Sequence, residues 1–348
     1  MLASPPGGKL RFNDPQIEMA HGAGGKLSRR LLEGLIVPLL GNPVLDQLSD
    51  AAVFGFAGTR LATSADGYVV KPLRFNGGSI GELAINGTVN DLAVSGARAI
   101  GLMATFILEA GLRGETLRAE VEAMARAARN AGVAIYGGDT KVVEHGMADG
   151  MYISTFGFGE VDARAVLDPK SVVPGDRILL SGPIGDHGIT ILLARGELDL
   201  EADLRSDTRP VTPFVTALLD AAAPGLRWMR DPTRGGVATA LNELVRDANC
   251  AALIYEEAIP LRSEVRGACE ILGLDPLHIA NEGQFIAIVS DEYADAALRA
   301  VRAIDGGLEA AIIGEIRAQP EMTVISETGF GGTRVVDMLV GDPLPRIC

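Results

Sequence analysis

Short apolar, strand-like runs alternate with helical patterns on both sides of a polar, proline-bearing break, so the chain reads as two domains that each mix strands and helices, taken as an α+β protein. The break is Asp-Pro-Lys-Ser-Val-Val-Pro-Gly-Asp at Asp168–Asp176. Before it, strands are expected at Arg60–Thr63, Gly67–Val70, Ala99–Leu108, Val133–Tyr136 and Met151–Phe158, with helices at Ser79–Val94 and Glu115–Asn130. In the second helix Leu117, Val121, Met124 and Ala128 share one face, and Gly132 supplies its stop. After the break, strands are expected at Arg177–Leu180, Leu226–Met229, Ala251–Tyr255 and Gln284–Val289, with a final pair around Gly329–Gly332. Helices are expected up to Leu193 and over Pro213–Ala222, Val237–Asp247, Glu264–Leu272 and Ala294–Ile304. The expected units are residues 1–168, residues 169–340 and an extended, mobile tail, 341–348, with two prolines and no periodicity.

A chain of 348 residues can bury two cores without disulfide staples. Its formal net charge of −14 repels a nucleic-acid backbone, and an anionic substrate needs a metal ion or local dipoles to enter such a field. Met1-Leu-Ala-Ser-Pro-Pro-Gly-Gly lacks the basic start and apolar core of a secretory signal. The apolar runs Leu35–Leu40 and Ala99–Leu108 fall short of the roughly 18 residues that span a bilayer. Cys250, Cys269 and Cys348 are scattered, as in a reducing compartment, so a cytoplasmic enzyme is expected. The histidines and cysteines lack zinc spacing, and no Gly-x-Ser-x-Gly elbow occurs.

Chemistry is suggested by carboxylates at chain breaks. Asp50, Asp66, Asp91, Asp139 and Asp231 sit beside glycine or small residues at the ends of expected elements. Such a set can converge on one hard cation, with substrate phosphates completing its shell. Each aspartate taken singly also reads as a turn or cap residue. The Gly137-Gly138 and Gly235-Gly236 pairs read as turns whose N–H groups can approach phosphate. His21-Gly-Ala-Gly-Gly-Lys26 is no Walker A loop, because Ala20 and Leu27 stand where that motif needs Gly and Ser or Thr. The chain ends on Cys348, and eight extended residues would give its thiol a reach of about 26–29 Å.

These pieces resemble the PurM-like ATP-binding superfamily and, within it, the HypE family of hydrogenase maturation proteins. The resemblance runs almost end to end, through His21–Lys26, Ser49-Asp-Ala-Ala-Val53, Gly87-Thr-Val-Asn-Asp-Leu-Ala-Val-Ser-Gly-Ala97 and Gly138-Asp-Thr-Lys-Val-Val143. It continues through Asp231-Pro-Thr-Arg-Gly-Gly236, Leu274–Leu277, Asn281-Glu-Gly283 and Pro345-Arg-Ile-Cys348. One departure is Ala65, where the family usually has Ser or Thr before the second acidic site, Asp66. A selenophosphate synthetase is less similar, since its reactive cysteine is absent before Lys26, and a thiamine-phosphate kinase is the other alternative.

The resemblance implies a homodimer whose N-terminal sheets pair into a barrel, with ATP in clefts near that interface. It implies that a HypF-type carbamoyltransferase loads a carbamoyl group onto Cys348, and that ATP drives its dehydration to a thiocyanate. The cyanide then passes to iron held by a HypC–HypD complex for a nickel–iron hydrogenase. By the same resemblance Asp50, Asp66, Asp91 and Asp231 hold Mg²⁺, while Asn90, Gly137, Gly138, Asp139, Thr140 and Lys26 contact nucleotide. Cys348 carries the reacting group, and Glu282 and Lys141 are nominated beside it, one as base and the other steadying phosphate or the imidate oxygen, with Glu282 taken as the base and the reverse division left open. A non-catalytic assembly subunit that only presents a thiol is the alternative from another class, and ATP turnover separates the two.

Overall fold

Buried and exposed residues alternate along the strands of the first half, which form a sheet with one covered and one open face. The computed structural model describes residues 11–196, 202–341, 344 and 346–348. The first half contains α1 (Gly25–Leu31), running through a π-helical turn into α2 (Val37–Leu40), then β1 (Ala52–Phe56), β2 (Thr59–Tyr68) and a small ribbon of β3 (Arg74–Phe75) and β4 (Gly78–Ser79). It continues with α3 (Ile80–Val94), β5 (Ala97–Glu109), α4 (Gly114–Asn130), β6 (Ala134–Val143) and β7 (Met151–Val161). The sheet order is β1-β2-β7-β5-β6, and only the β5–β6 pair, joined by α4, is parallel. Ile153 and Thr155 of β7 face inward while Ser154 and Phe156 face out.

The inward face packs on α3, whose residues are all buried except Glu82 and Asp91. A helix apolar on every side belongs at the centre of a larger core, and α3 lies between this sheet and the second half of the chain. Gly87 admits the Tyr68 ring to its surface, since a Cβ there would lie 2.3 Å from the Tyr68 hydroxyl oxygen.

The second half contains β8 (Arg177–Leu180), α5 (Asp186–Ala194), α6 (Thr212–Ala222), β9 (Leu226–Arg230), α7 (Gly236–Ala248) and β10 (Ala251–Tyr255). It ends with α8 (Ser263–Leu272), β11 (Ile286–Val289), α9 (Asp291–Arg302), β12 (Ala311–Arg317), β13 (Thr323–Glu327) and β14 (Thr333–Val335). The sheet order is β14-β13-β10-β12-β8-β11-β9. Helices cover both faces of its centre: Leu179 and Ala287 pack with Phe214 and Val301, while Ile178 and Ile288 pack with Val237 and Leu241.

Several expectations change. The strands expected at Arg60–Thr63 and Gly67–Val70 are one strand, β2, and β1, β12 and the α1–α2 segment were not anticipated. On α4, Val121 is exposed and Glu120 takes the buried place, because Glu120 accepts the Gly81 N–H at the start of α3 and pairs with Arg74. Gly137-Gly138 is no turn but the interior of β6. Gly138 is needed there because a Cβ would come within 1.6 Å of the Ala104 carbonyl oxygen on β5. The terminus expected to be free is docked: Leu344 and Ile347 are buried in the first core, and Val69 N–H donates to the Cys348 carbonyl. Residues 1–10, whose first eight read as lacking a secretory signal, and Asp342, Pro343 and Pro345 of the expected tail lie outside the described residues. Among the described residues no helix is long and apolar enough to cross a membrane.

Replacing Glu120 by Ala strips the Gly81 N–H and Arg74 of their shared acceptor. The expected loss is about 2–3 kcal/mol of unfolding free energy in urea titration, and an unchanged midpoint would refute the capping role.

Candidate active site

Four aspartates meet where α3 crosses the end of β2 and the end of β9. Asp50 precedes β1, Asp66 lies on β2, Asp91 occupies the one wet position of the last turns of α3, and Asp231 follows β9 directly. Ligand oxygens of Asp50, Asp91 and Asp231 all lie within 4.8 Å of one another. Ser64 Oγ donates to Asp91 at 2.5 Å, the Tyr68 hydroxyl donates to Asp66 at 3.2 Å, and Arg230 Nε donates to Asp50 at 2.7 Å. Arg230 also pairs with Glu243, so its charge is shared.

The electrostatics of this group are unfavourable until a cation is added. Burial, followed by the neighbouring carboxylates, pushes Asp91 and Asp231 well above the usual carboxylate range. Asp50 is raised too, by burial, though Arg230 opposes the shift. Three convergent carboxylates with hard oxygen donors and uncompensated charge fit a hard divalent cation such as Mg²⁺.

Two spaces adjoin the acids. One is a cleft of about 930 Å³ lined by Asp50, Arg60, Lys170, Arg230 and apolar groups including Val53, Val94 and Trp228. The other is a narrow pocket of about 40 Å³ lined by Asp66, Tyr68, Gly87, Asp91, Glu282 and Cys348. Asp231, Thr233 and Arg234 line both. The terminal cysteine thus shares a pocket with Asp66, Asp91 and Asp231, one residue layer from the larger cleft. Glu282 is buried, and burial, then Asp231, Asp207 and Asp66, holds its carboxyl well above the ordinary range. The negative charge at Cys348 is the chief influence raising the pKa of Arg234.

Other expected site residues stand elsewhere. Asn90 is 1% exposed and fully engaged: its Nδ2 donates to the Arg209 and Glu282 carbonyls at 3.0 Å, and its Oδ1 accepts from Val211 N–H at 2.8 Å. It therefore clamps the Glu282 backbone to α3 and is not free to touch nucleotide. Lys26 pairs with Asp337 at 2.5 Å and is not among the residues lining the cleft. Asp139, Thr140 and Lys141 lie on exposed β6, three strands from Asp66, or about 14 Å at the usual spacing. Lys141 is cross-strand partner to Ile107, and Asp139 to Thr105, on the open face of the sheet, opposite the acids. These two residues pair with each other at 2.5 Å. Ala65 also faces outward, paired with Phe156, so a hydroxyl there would not reach the aspartates; Ser64 supplies that contact.

Arg234, Arg230 and Asp207 were missed by the sequence reading. Asp207 accepts the Glu282 and Gly283 N–H groups at 3.1 and 3.2 Å. Arg234 lies inside Asp231-Pro-Thr-Arg-Gly-Gly236, a motif read only for its aspartate, whereas nothing around Asp207 in the sequence marks it.

Known proteins resemble this chain over almost its whole length. Residues 48–161 match the AIR synthase related protein N-terminal domain and residues 173–327 its C-terminal domain. The chain is 50% identical over 340 residues to carbamoyl dehydratase HypE of Azotobacter vinelandii, covering 98% of this chain and 99% of that one. It superposes on HypE in complex with ATP with a TM-score of 0.79 at 44% identity, covering 95% of this chain and 99% of that one. It superposes on a chain of the HypE–HypF complex with a TM-score of 0.84 at 39% identity, covering 89% and 99%.

Asp91→Asn removes one ligand charge and relieves repulsion in the metal-free protein. Calorimetry should show Mg-ATP binding weakened at least about tenfold, with metal-free thermal stability unchanged or raised; unaltered affinity would remove Asp91 from the metal set.

Proposed function

The chain belongs to the HypE family of carbamoyl dehydratases, and we propose that Cys348 carries the carboxamide it dehydrates, in a reaction driven by ATP. The observation that carries this reading is the narrow pocket in which Cys348 meets Asp66, Asp91, Asp231 and Glu282, next to a cleft large enough for a nucleotide. An alternative kinase or selenophosphate synthetase activity gives no role to a docked terminal thiol.

The reaction turns R–S–C(=O)–NH₂ and ATP into R–S–C≡N, ADP and inorganic phosphate. The carboxamide oxygen departs on phosphate, and both nitrogen protons leave. Glu282 is the group suited to take a proton from that nitrogen, since a buried carboxylate with a raised pKa is a stronger base once ionised. Asp207 and Asn90 hold its backbone from either side. Arg234 stands beside Cys348 and lines both spaces, where it can steady developing charge on the oxygen. Asp50, Asp91 and Asp231, with Asp66 beside them, would hold Mg²⁺, which supplies the positive charge that phosphates need in this acidic site. Gly137, Gly138, Thr140 and Lys26 keep no nucleotide contact in this reading of a single chain.

A second copy of the chain completes the reading. The open face of the first sheet carries exposed Met103, Ile107, Tyr136 and Phe156, an apolar surface of the kind that marks an interface. Asp139 and Lys141 share that face, so their contribution to phosphate or imidate binding would be made across the dimer. The HypE–HypF complex formed by a relative supports a HypF-type carbamoyltransferase as donor. A HypC–HypD iron complex is the proposed cyanide acceptor, in the cytoplasm, where the terminal thiol stays reduced.

Cys348→Ala should abolish S-cyanate on the C-terminal peptide, read by mass spectrometry after incubation with carbamoyl donor, HypF and ATP, while ATP affinity stays within about twofold. Undiminished cyanation would sink the carrier role. Phe156→Asp should convert dimers to monomers in sedimentation equilibrium, and a persistent dimer would exclude the open sheet face as the interface.

A further inference from the structure

The last residues of the chain lie in a groove that contacts them as it would a peptide ligand. Val69 N–H donates to the Cys348 carbonyl at 2.9 Å and Lys71 N–H to the Arg346 carbonyl at 3.3 Å. These donors are two residues apart just beyond β2, so the terminus extends that strand in the manner of β-augmentation. His187 Nε2 donates to the intervening Ile347 carbonyl at 2.7 Å. Its Nδ1 therefore accepts from the Ser206 hydroxyl, 2.8 Å away, and burial keeps the ring neutral, with its pKa pushed down to about 4. Arg195 gives the Arg346 carbonyl a second donor at 3.0 Å.

The side chains divide between two walls. Ile347 and Leu344 are buried among the apolar residues of the first core, and Gly188 leaves room for Leu344, since a Cβ there would sit 3.3 Å from its Cδ1. Arg346 turns the other way and pairs with Asp149, which also holds Lys71 Nζ and the Tyr152 hydroxyl, each at 3.2 Å.

We propose that this groove is a peptide-recognition site for a chain terminus bearing an aliphatic residue next to last and an arginine before it, with Asp149 selecting the arginine and His187 setting the register. The groove delivers the terminal residue to the narrow pocket. Its bearing on catalysis rests on the reading of Cys348 as carrier, but its existence does not.

The test uses the full-length chain and the rate at which iodoacetamide alkylates Cys348. Cys250 and Cys269 are buried, with thiols pushed up to about 11, so labelling reports the terminus. Arg346→Glu should raise the rate at least about tenfold, although a nearby carboxylate alone would slow a thiol. Adding Asp149→Arg should return the rate to within about threefold of wild type, because the exchanged charges restore the ion pair in reverse, with Lys71 beside the new carboxylate. A fluorescent Leu-Pro-Arg-Ile-Ser peptide should bind the Arg346→Glu chain saturably, and the same peptide with Glu for Arg should not. An unchanged alkylation rate, no rescue in the double variant, or absent peptide binding would each overturn the proposal. Failure of the carrier reading would show differently, as a missing S-cyanate on Cys348 with this labelling pattern intact.

Discussion

Repulsion among buried carboxylates governs the architecture around the site. Asp50, Asp91 and Asp231 come from three separated stretches of chain and would move apart if the backbone allowed it. Packing prevents this: α3 is enclosed on all sides and carries Asp91 as its wet residue, and Asn90 next to it ties the helix to Val211 and Glu282 of the other half. Arg230 offsets one of the three charges and is itself divided between Asp50 and Glu243. The fold thus stores a local excess of negative charge, stable only because two cores hold the elements that carry it.

That excess lies inside a chain already bearing −14 overall, so the larger cleft needs its own attraction for phosphates. Arg60, Lys170, Arg230 and Arg234 line it and give a positive rim beside the acids. With Cys348 as carrier, the role proposed above, the second reactant need not be attracted from solution. A tethered group held in one geometry reacts at an effective concentration that free substrates cannot match.

Much of this was legible in the sequence, for reasons specific to each residue. Strands and helices of the second half follow their hydrophobic periods closely because both faces of β8 and β11 are covered, as their unbroken apolar runs indicate. Asp50, Asp91 and Asp231 stood out because acidic residues at element ends have few structural reasons to cluster. The failures occurred where tertiary contacts override local pattern. Glycines at 137 and 138 suggest a turn, yet they lie within a strand, and at 138 β5 passes too close for a side chain. Asn90 suggests a ligand contact, yet burial converts it to a clamp, and two prolines without periodicity made a docked terminus read as a free one. Which face of a strand Asp139 and Lys141 occupy depends on the register with β5, which no local signal carries.

The Val69 N–H reaches the carbonyl of residue 348, and the pocket that Cys348 lines is narrow, about 40 Å³. A further amino acid joined to that carbonyl would have to share this space with the sulfur and whatever the sulfur carries. A purification handle fused at that end would therefore crowd the pocket that Cys348 lines.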